Sequence, residues 1–289
     1  MPDTIVSEHI VINGRLIPRE QGHISIFNQA LFYSFGVYES VQIEGGAAFH
    51  LEDHVGRLFQ SAAMIELPLP YRPEEIQGWI ERLVEADQIG QSLLRVLAFG
   101  PNGDEESLVY VLPMALPRYP DAFYSAGASA ITFEGERPLP AAKTLNTLVN
   151  YLALRRAGPR GAPAALRVVP QGRTAAGARP NLFVVMDGRL VTPPAGQALS
   201  GITRELVCEM AGRRGIEVQE RPIQRAELDR AGEVFVTSTS MHVMPITRID
   251  ALEIGEGRVG PVTRTLMHDF EEYYAGALRR QPAVAIAME

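Results

Sequence analysis

One residue type stands out for its chemistry. The chain of 289 residues has 27 lysines and arginines together, and a single one of them, Lys143, is a lysine. A buried lysine amine can lose its proton and attack a carbonyl carbon, whereas an arginine guanidinium stays charged. Chance survival of one lysine in an arginine-rich chain explains the count equally well. Lys143 is therefore a candidate for imine chemistry whose carbonyl partner the count does not name.

Three further segments carry groups suited to binding an anion such as phosphate. The segment GITR at 201–204 stands where a predicted helix begins, and backbone N–H groups at a helix start favour an anion. The run TSTS at 237–240 ends a predicted strand with hydroxyl donors. Arg57 is predicted to lie off the apolar face of its helix, where it would pair with a phosphate. Taken alone, the TSTS run is more often a solvated strand end, and a helix start such as GITR is usually an ordinary cap.

The elements that would position these groups follow from apolar periodicity and turn signals. Strands are predicted near 5–12, 39–49, 93–100, 108–116, 128–133, 164–169, 181–185 and 233–237. Helices are predicted near 51–66, 73–86, 144–157, 200–213 and 261–274. Strands and helices mix without regular βαβ alternation, which predicts an α+β fold. The segment 117–127, PRYPDAFYSAG, breaks the pattern and predicts a linker between domains at 1–116 and 128–289.

Composition excludes several classes of function. A net charge of −7 with no basic run argues against nucleic-acid binding. No apolar run reaches the ~18 residues of a membrane span, and the N-terminus does not have the pattern of a secretory signal. We therefore expect a cytoplasmic protein that does not contact membranes. The one cysteine, Cys208, cannot form an intramolecular disulfide and is expected to be a small core residue.

The six histidines do not predict a metal site. His50 and His54 have metal-ligand spacing, but they are better interpreted as a strand end followed by a helix residue. His242, beside the hydroxyl run, would either reach an active site or simply pack against its neighbours.

The order of the motifs resembles that of the class IV, or fold type IV, pyridoxal-phosphate enzymes. That group includes branched-chain aminotransferases, D-amino acid aminotransferases and aminodeoxychorismate lyases. The resemblance covers nearly the whole chain, through GVYES (36–40), FHLEDHVGRLFQSA (49–62), KTLN (143–146), NLFVVMDGRLVTP (181–193), SGITR (200–204), FVTSTS (235–240) and MPITRID (244–250). It implies a small N-terminal α/β domain and a larger C-terminal domain, with a site for pyridoxal 5'-phosphate between them. It also implies a homodimer.

The resemblance implies a role for individual residues. Lys143 would bind the cofactor covalently and move a proton between substrate and cofactor. The phosphate group would be bound by Arg57, the backbone amides of Ile202 and Thr203, and the hydroxyl of Thr239, with Ser240 as a weaker addition. Tyr38 would line the substrate side, and Arg95 would lie near the substrate carboxylate. An amino donor and a keto acid acceptor are the implied substrates.

The chain departs from the family pattern at one position that matters for catalysis. Members normally carry a glutamate that keeps the pyridine nitrogen of the cofactor protonated, and here that position is Ala176. Thr147 and Ala164 are lesser departures. Without the carboxylate we expect weak transamination, because a buried ring nitrogen then tends to stay neutral. Arg179 or Arg173 would be an alternative donor to that nitrogen.

Three interpretations of this departure stay open. The chain is an aminotransferase with an alanine variant at this position, an enzyme of the same fold with lyase or racemase-like chemistry, or a cofactor-free descendant that binds a small molecule. The last is the least favoured, because Lys143 and the phosphate-binding residues are all present.

Overall fold

The chain divides into two compact units. In a computed structural model, residues 4–169, 172–177 and 180–280 are described, with 175–177 described by backbone alone. Among them, residues 4–117, 142–146 and 274–280 form the first unit, and 118–141 and 147–273 form the second. The sequence-based division differs from these units mainly at 142–146 and from 274 onward. The segment that contains Lys143 groups with the N-terminal residues because its backbone pairs with one of their strands.

The first unit is built on a six-stranded antiparallel sheet with the strand order β2-β1-β6-β5-β3-β4. Its elements are β1 His9–Ile12, β2 Arg15–Pro18, α1 Gln29–Tyr33, β3 Gly36–Glu44, β4 Ala47–Ala48, α2 Leu51–Met64, α3 Pro73–Ala86, β5 Gln91–Phe99 and β6 Leu108–Met114.

The core of the first unit lies between this sheet and the apolar faces of α2 and α3. Val55 and Leu58 of α2 and Ile76 and Ile80 of α3 are at most 1% exposed and belong to one cluster with strand residues. Helix α3 begins with Pro73 in its first turn, followed by two acidic residues, which is the expected start signal. Helices α2 and α3 therefore cover the sheet face to which the odd-numbered residues of β3 belong.

The second unit is built on a ten-stranded mixed sheet with the order β12-β11-β10-β14-β15-β7-β8-β9-β13, to which β16 adds at β15. Its elements are α4 Asp121–Ser125, β7 Ala128–Glu134, α5 Leu148–Ala157, β8 Ala164–Val168, β9 Arg173–Gly177, β10 Asn181–Met186, β11 Arg189–Thr192, α6 Ile202–Arg213, β12 Val218–Glu220, β13 Ile223–Gln224, β14 Glu233–Ser238, β15 His242–Ile249, β16 Leu252–Glu253 and α7 Pro261–Arg280.

Helix α7 begins on a carboxylate of the sheet. Both oxygens of Glu233, which is 9% exposed, accept hydrogen bonds from the first turn of α7. The amides of Val262 and Thr263 donate over 3.0 and 2.7 Å, and the Thr263 hydroxyl donates over 2.6 Å. An acidic group at a helix N-terminus satisfies N–H groups that have no partner within the helix.

Several sequence-based boundaries are corrected by the structure. The expected linker at 117–127 contains α4, and the helix expected from 144 begins at Leu148, because residues 143–145 run alongside β3 instead. The last helix continues to Arg280. Strands β2, β9, β11, β12, β13, β15 and β16 were not predicted. No helix in the described part of the chain is long and apolar enough to span a bilayer.

Candidate active site

Lys143 is fixed in position through its main chain. The Tyr38 amide donates a 2.9 Å hydrogen bond to the Lys143 carbonyl, and the Leu145 amide donates to the Gly36 carbonyl over 2.9 Å. Thr144 forms an antiparallel bridge with Val37 between them. The segment around Lys143 thus extends the first unit's sheet along the start of β3.

The side chain of Lys143 lies against an aromatic ring. Its Nζ atom is 4.7 Å from the centroid of the Tyr38 ring, and the Cζ atom of Arg95 is 5.9 Å from the same centroid. Arg95 pairs with Ser40 in the register of β3 and β5, two residues along from Tyr38 and on the same sheet face. Lys143, Tyr38 and Arg95, all selected from the sequence, therefore share one face of this sheet.

The opposite face of β3 carries a buried ion pair. Glu39, 1% exposed, accepts hydrogen bonds from Arg57 of α2, from Nε over 2.7 Å and from Nη2 over 2.8 Å. Arg57 is predicted to lie off the apolar stripe of α2, and it is nevertheless buried, at 9% exposed. The physical reason is Glu39, which supplies a charge partner inside the core. His54 Nδ1 adds a 3.0 Å contact to the same carboxylate.

The charges of this cluster set its protonation. Burial raises the pKa of Glu39, but the positive charges of Arg57 and Lys143 outweigh burial and hold that pKa well below its usual range. Burial lowers the pKa of His54 below its ordinary value, although the hydrogen bond to Glu39 opposes the shift. At neutral pH the cluster is therefore a carboxylate, a guanidinium and a neutral imidazole that donates its Nδ1 proton.

Helix α2 also contacts the lysine segment directly. The Lys143 amide donates to Oγ of Ser61 over 3.1 Å, and Ser61 is 1% exposed. The same helix that holds Glu39 through Arg57 therefore holds the backbone of Lys143 through Ser61, one turn further on.

In the second unit, the start of α6 has free backbone N–H groups that are suited to binding an anion. Its N-cap residue, Gly201, gives the helix no side-chain cap, so the first N–H groups of the helix are left for another acceptor. A Cβ atom at Gly201 would collide with Oδ1 of Asn181. Arg204, 4% exposed, anchors this turn by donating to the Pro193 carbonyl over 3.2 Å and by pairing with Glu220 over 2.8 Å.

The hydroxyl run lies at the same end of the second unit's sheet. Asn181, which contacts Gly201, pairs directly with Thr237 in the register of β10 and β14. Thr237 is fully buried, and its hydroxyl has no hydrogen-bond partner within the described part of the chain. Thr239 and Ser240 form the turn that follows, and both are half-buried. The turn and the start of α6 therefore gather amide and hydroxyl donors at one sheet end.

The alanine at the expected glutamate position lies on a strand. Ala176 belongs to β9, a strand that was not predicted from the sequence, and Arg179 lies outside the described residues. Arg173 is half-buried at the start of β9. His242 packs on the Phe270 ring, with 5.1 Å between centroids, and its Nδ1 is 2.8 Å from Glu271. Cys208 is half-buried, and burial raises its pKa to about 11, so it is an unreactive thiol.

Comparison with known proteins decides the family. Residues 36–249 match the family described as amino-transferase class IV. The chain belongs to the class IV aminotransferase family. The match includes the strand of Tyr38, the Lys143 segment, the start of α6 and the hydroxyl turn, so all of the selected residues lie inside it.

Relatives of this class IV aminotransferase are similar over almost their full length. The chain is 34% identical to a D-alanine aminotransferase of Listeria monocytogenes, over 91% of this chain and 95% of the relative. It is 30% identical to a putative branched-chain-amino-acid aminotransferase of Methanocaldococcus jannaschii, over the same shares. Branched-chain and D-alanine relatives are thus comparably similar, which leaves the substrate open.

Solved structures show the same fold. The branched-chain aminotransferase of Escherichia coli superposes with a TM-score of 0.86 and 26% identity, over 96% of this chain and 97% of that one. A branched-chain aminotransferase from T.th., solved with pyridoxamine 5'-phosphate, also gives 0.86, with 30% identity over the same shares. The fold is thus α+β of fold type IV, and the cofactor of this family is pyridoxal 5'-phosphate.

The residues present fit that cofactor chemically. A single amine held by main-chain bonds suits its aldehyde, and an uncapped helix start closed by Gly201 suits its phosphate. Sequence reasoning missed Glu39, His54 and Ser61. The signal for Glu39 was present, since it is an acidic residue within the largely apolar strand β3.

Proposed function

We propose that this class IV aminotransferase transfers amino groups between an amino acid and a keto acid, with pyridoxal 5'-phosphate bound covalently at Lys143. The observation that carries the proposal is the chain's only lysine, held by the backbone of β3 with its amine 4.7 Å from the Tyr38 ring centroid.

The cofactor supplies an aldehyde that condenses with amines and a ring that accepts electron density from the substrate carbon. Lys143 then acts as the base that takes a proton from the substrate carbon and returns it. Tyr38 supplies an apolar wall beside the amine, which limits water there. The Tyr38 amide and Ser61 hold the lysine backbone, so the side chain moves from a fixed origin.

We assign the cofactor phosphate to the amides of Ile202 and Thr203, the hydroxyl of Thr239, and Arg57, with Ser240 as a further donor. The uncapped start of α6 supports the amide assignment. Glu39 fixes the orientation of the Arg57 guanidinium through two hydrogen bonds. Arg95, beside Tyr38, is assigned to the substrate carboxylate.

We further propose that the protein is a homodimer. The first unit exposes an aromatic and aliphatic stretch in which Phe27, Phe32 and Tyr33 are 74–79% exposed. The second exposes Leu148 and Tyr151 at 63% and 57%. Exposed large apolar side chains on each unit are typical of an interface. Light scattering at micromolar concentration should give twice the chain mass of 31.7 kDa. A monomeric mass contradicts this proposal.

Reductive trapping tests the lysine assignment. Protein incubated with pyridoxal 5'-phosphate and borohydride should carry the reduced cofactor on the peptide that contains Lys143, as located by mass spectrometry. Because there is no other lysine, the amino terminus is the one competing amine, and it lies on a different peptide. Lys143→Arg keeps the charge but cannot form the bond, and it should remove the label. Label found solely at the amino terminus overturns the assignment.

We propose, finally, that this protein catalyses transamination more slowly than other members of the family. The reason is that Ala176 stands where the resemblance implies a glutamate beside the pyridine nitrogen of the cofactor. The support is the sequence of β9, where Ala175 and Ala176 provide no charge. Rates with a panel of L- and D-amino donors and keto acids measure this directly and also define the substrate.

A further inference from the structure

A buried arginine in the second unit has no role in the function proposed above. Arg167 lies on β8 and is 2% exposed. Within the described part of the chain, its Nε and Nη1 atoms find no hydrogen-bond partner. Burying a charged group is costly unless it is paired and hydrogen-bonded. This guanidinium is therefore an unusual feature that calls for a partner.

The guanidinium borders a cavity. A partly open pocket of about 210 Å³ is lined by residues of the second unit, and Arg167 is part of its wall. The wall also contains the polar residues Glu136, Arg173 and Thr174 and the apolar residues Pro140, Val169 and Pro193. By liquid volume the space would hold about seven waters at ~30 Å³ each, so it admits a small organic molecule.

A second buried donor on the same wall also has no partner. Thr174, on β9, is 2% exposed, and its hydroxyl has no hydrogen-bond partner among the described residues. Thr174 pairs with Val168 in the register of β8 and β9, one residue from Arg167. Two unsatisfied donors on adjacent strands thus line one cavity, which is the arrangement expected of a binding site for an acceptor group.

The neighbouring strand β9 provides no negative charge opposite Arg167. Leu166 pairs with Gly177 and Val168 with Thr174, so Arg167 lies opposite Ala175 and Ala176. Burial and the nearby Arg137 lower the pKa of Arg167 to about 10, and Glu136 opposes that shift. Arg167 therefore remains charged at neutral pH.

The charge and shape of the wall identify the ligand class. Arg167 and Arg173 on the wall outnumber the exposed Glu136, and the nearby Arg137 adds further positive charge, so the pocket favours an anion. Pro140, Pro193 and Val169 add apolar surface that an inorganic ion would not use. We propose that this cavity binds a small organic monocarboxylate, with the Arg167 guanidinium and the Thr174 hydroxyl as its donors. The site stands independently of the Lys143 chemistry.

Titration calorimetry and thermal melting of the purified protein test the site, with acetate and formate as probes. Both should bind saturably and raise the melting temperature. Arg167→Met should lower the acetate affinity at least tenfold, and Thr174→Val should lower it severalfold. Arg213→Met, which removes an exposed arginine on α6, is the matched control and should leave the affinity unchanged. Equal acetate binding by parent and Arg167→Met overturns the proposal.

Two further measurements keep the test decisive. Without acetate, Arg167→Met should melt at or above the parent temperature, because it removes a buried charge whose Nε and Nη1 atoms have no hydrogen-bond partner among the described residues. A large loss of melting temperature would instead mean that Arg167 is paired within the fold, which contradicts the proposal. Chloride and inorganic phosphate, at ionic strength matched to acetate, should bind more weakly. Tighter binding of either ion than of acetate overturns the carboxylate assignment.

Discussion

Nε and Nη2 of Arg57 lie 2.7 and 2.8 Å from the two carboxylate oxygens of Glu39, with both side chains buried in the core of the first unit. This pair joins α2 to β3 directly behind Tyr38, whose amide holds the Lys143 carbonyl. The charge pair and the lysine backbone are therefore attached to the same short stretch of strand. Loss of the ion pair should therefore lower the free energy of unfolding and also shift the position of Lys143.

Replacement of the carboxylate tests the energetic part of this link. Glu39→Gln leaves Arg57 buried without a counter-charge, and we expect a loss of about 3–5 kcal/mol in the free energy of unfolding. Urea denaturation measures the loss. Glu44→Gln, at the exposed end of the same strand, should cost less than about 0.5 kcal/mol. The double variant Glu39→Gln/Arg57→Met should recover part of the loss. Similar losses in both glutamine variants would contradict this account.

His54 should give stability a dependence on pH. Burial lowers its pKa in the folded state, whereas the unfolded chain takes up a proton at about pH 6.5. As pH falls from 7 to 5 the unfolded state gains a proton that the folded state does not, so stability falls. The slope from this group approaches about 1.4 kcal/mol per pH unit. Urea melts of His54→Asn should be flatter over that window, and His268→Asn, exposed on α7, should follow the parent curve. An unchanged slope in His54→Asn would show that this histidine is not the group.

Local signals predicted those elements whose boundaries are set locally. Helix α3 was predicted at 73–86 and found there, because Pro73, two acidic residues and an apolar repeat all agree. The start of α5 was predicted several residues early. Residues 143–145 have no local feature that marks them as extended, and their conformation comes from pairing with β3, more than a hundred residues away along the chain.

The site followed the same division between local and long-range causes. The residues that a motif can carry, such as Lys143 and Tyr38, were found from the sequence. The burial of Arg57 was not predicted, since a helical repeat alone does not reveal a carboxylate on a neighbouring strand. A lone charged residue inside an apolar strand is the signal that would have found more. Arg95 in LLRVLAF was selected from the family resemblance instead, and the signal applies to it as it does to Glu39 and to Arg167 in AALRVV.

The role of the start of α6 in cofactor binding can be tested by replacing two glycines of that helix, one at its start and one further along. Gly201→Ala places a Cβ atom against Asn181 and should displace the turn that presents the Ile202 and Thr203 amides. We expect the affinity for pyridoxal 5'-phosphate to fall about tenfold or more, as measured by absorbance titration. Gly212→Ala, further along the helix, meets no atom within 4 Å. It should leave cofactor affinity unchanged and stabilise the helix by up to ~1 kcal/mol. Equal affinity in both variants would remove α6 from the phosphate assignment.

Arg95 should act on substrates that carry a carboxylate. A charge-assisted hydrogen bond contributes about 1.5–3 kcal/mol, so Arg95→Gln should lower kcat/KM for amino acids by roughly tenfold to a hundredfold. Simple amines without a carboxylate should react at the parent rate, and cofactor binding should not change. Arg15→Gln, an exposed arginine on β2 of the same sheet, is the control for general loss of charge. An equal loss for amines and amino acids would make Arg95 a structural residue.

The last prediction concerns Ala176 and separates cofactor binding from turnover. The family resemblance implies a glutamate at this position, which would keep the ring nitrogen protonated and so help the cofactor withdraw electron density from the substrate carbon. Ala176→Glu should therefore raise the transamination rate by about 10²–10³, since groups aimed at developing charge commonly contribute that much. Ala176→Gln, of similar size but uncharged, should give little increase. Cofactor affinity should stay nearly constant in both, because the phosphate and the covalent bond are assigned to other residues.

Single-turnover absorbance changes with a keto acid and an amino donor measure the rate, and a titration with the cofactor measures the affinity. If Ala176→Glu does not accelerate the reaction and the parent already turns over rapidly, another group serves the ring nitrogen. Arg179, the alternative donor that the sequence suggests, would then be the first residue to replace.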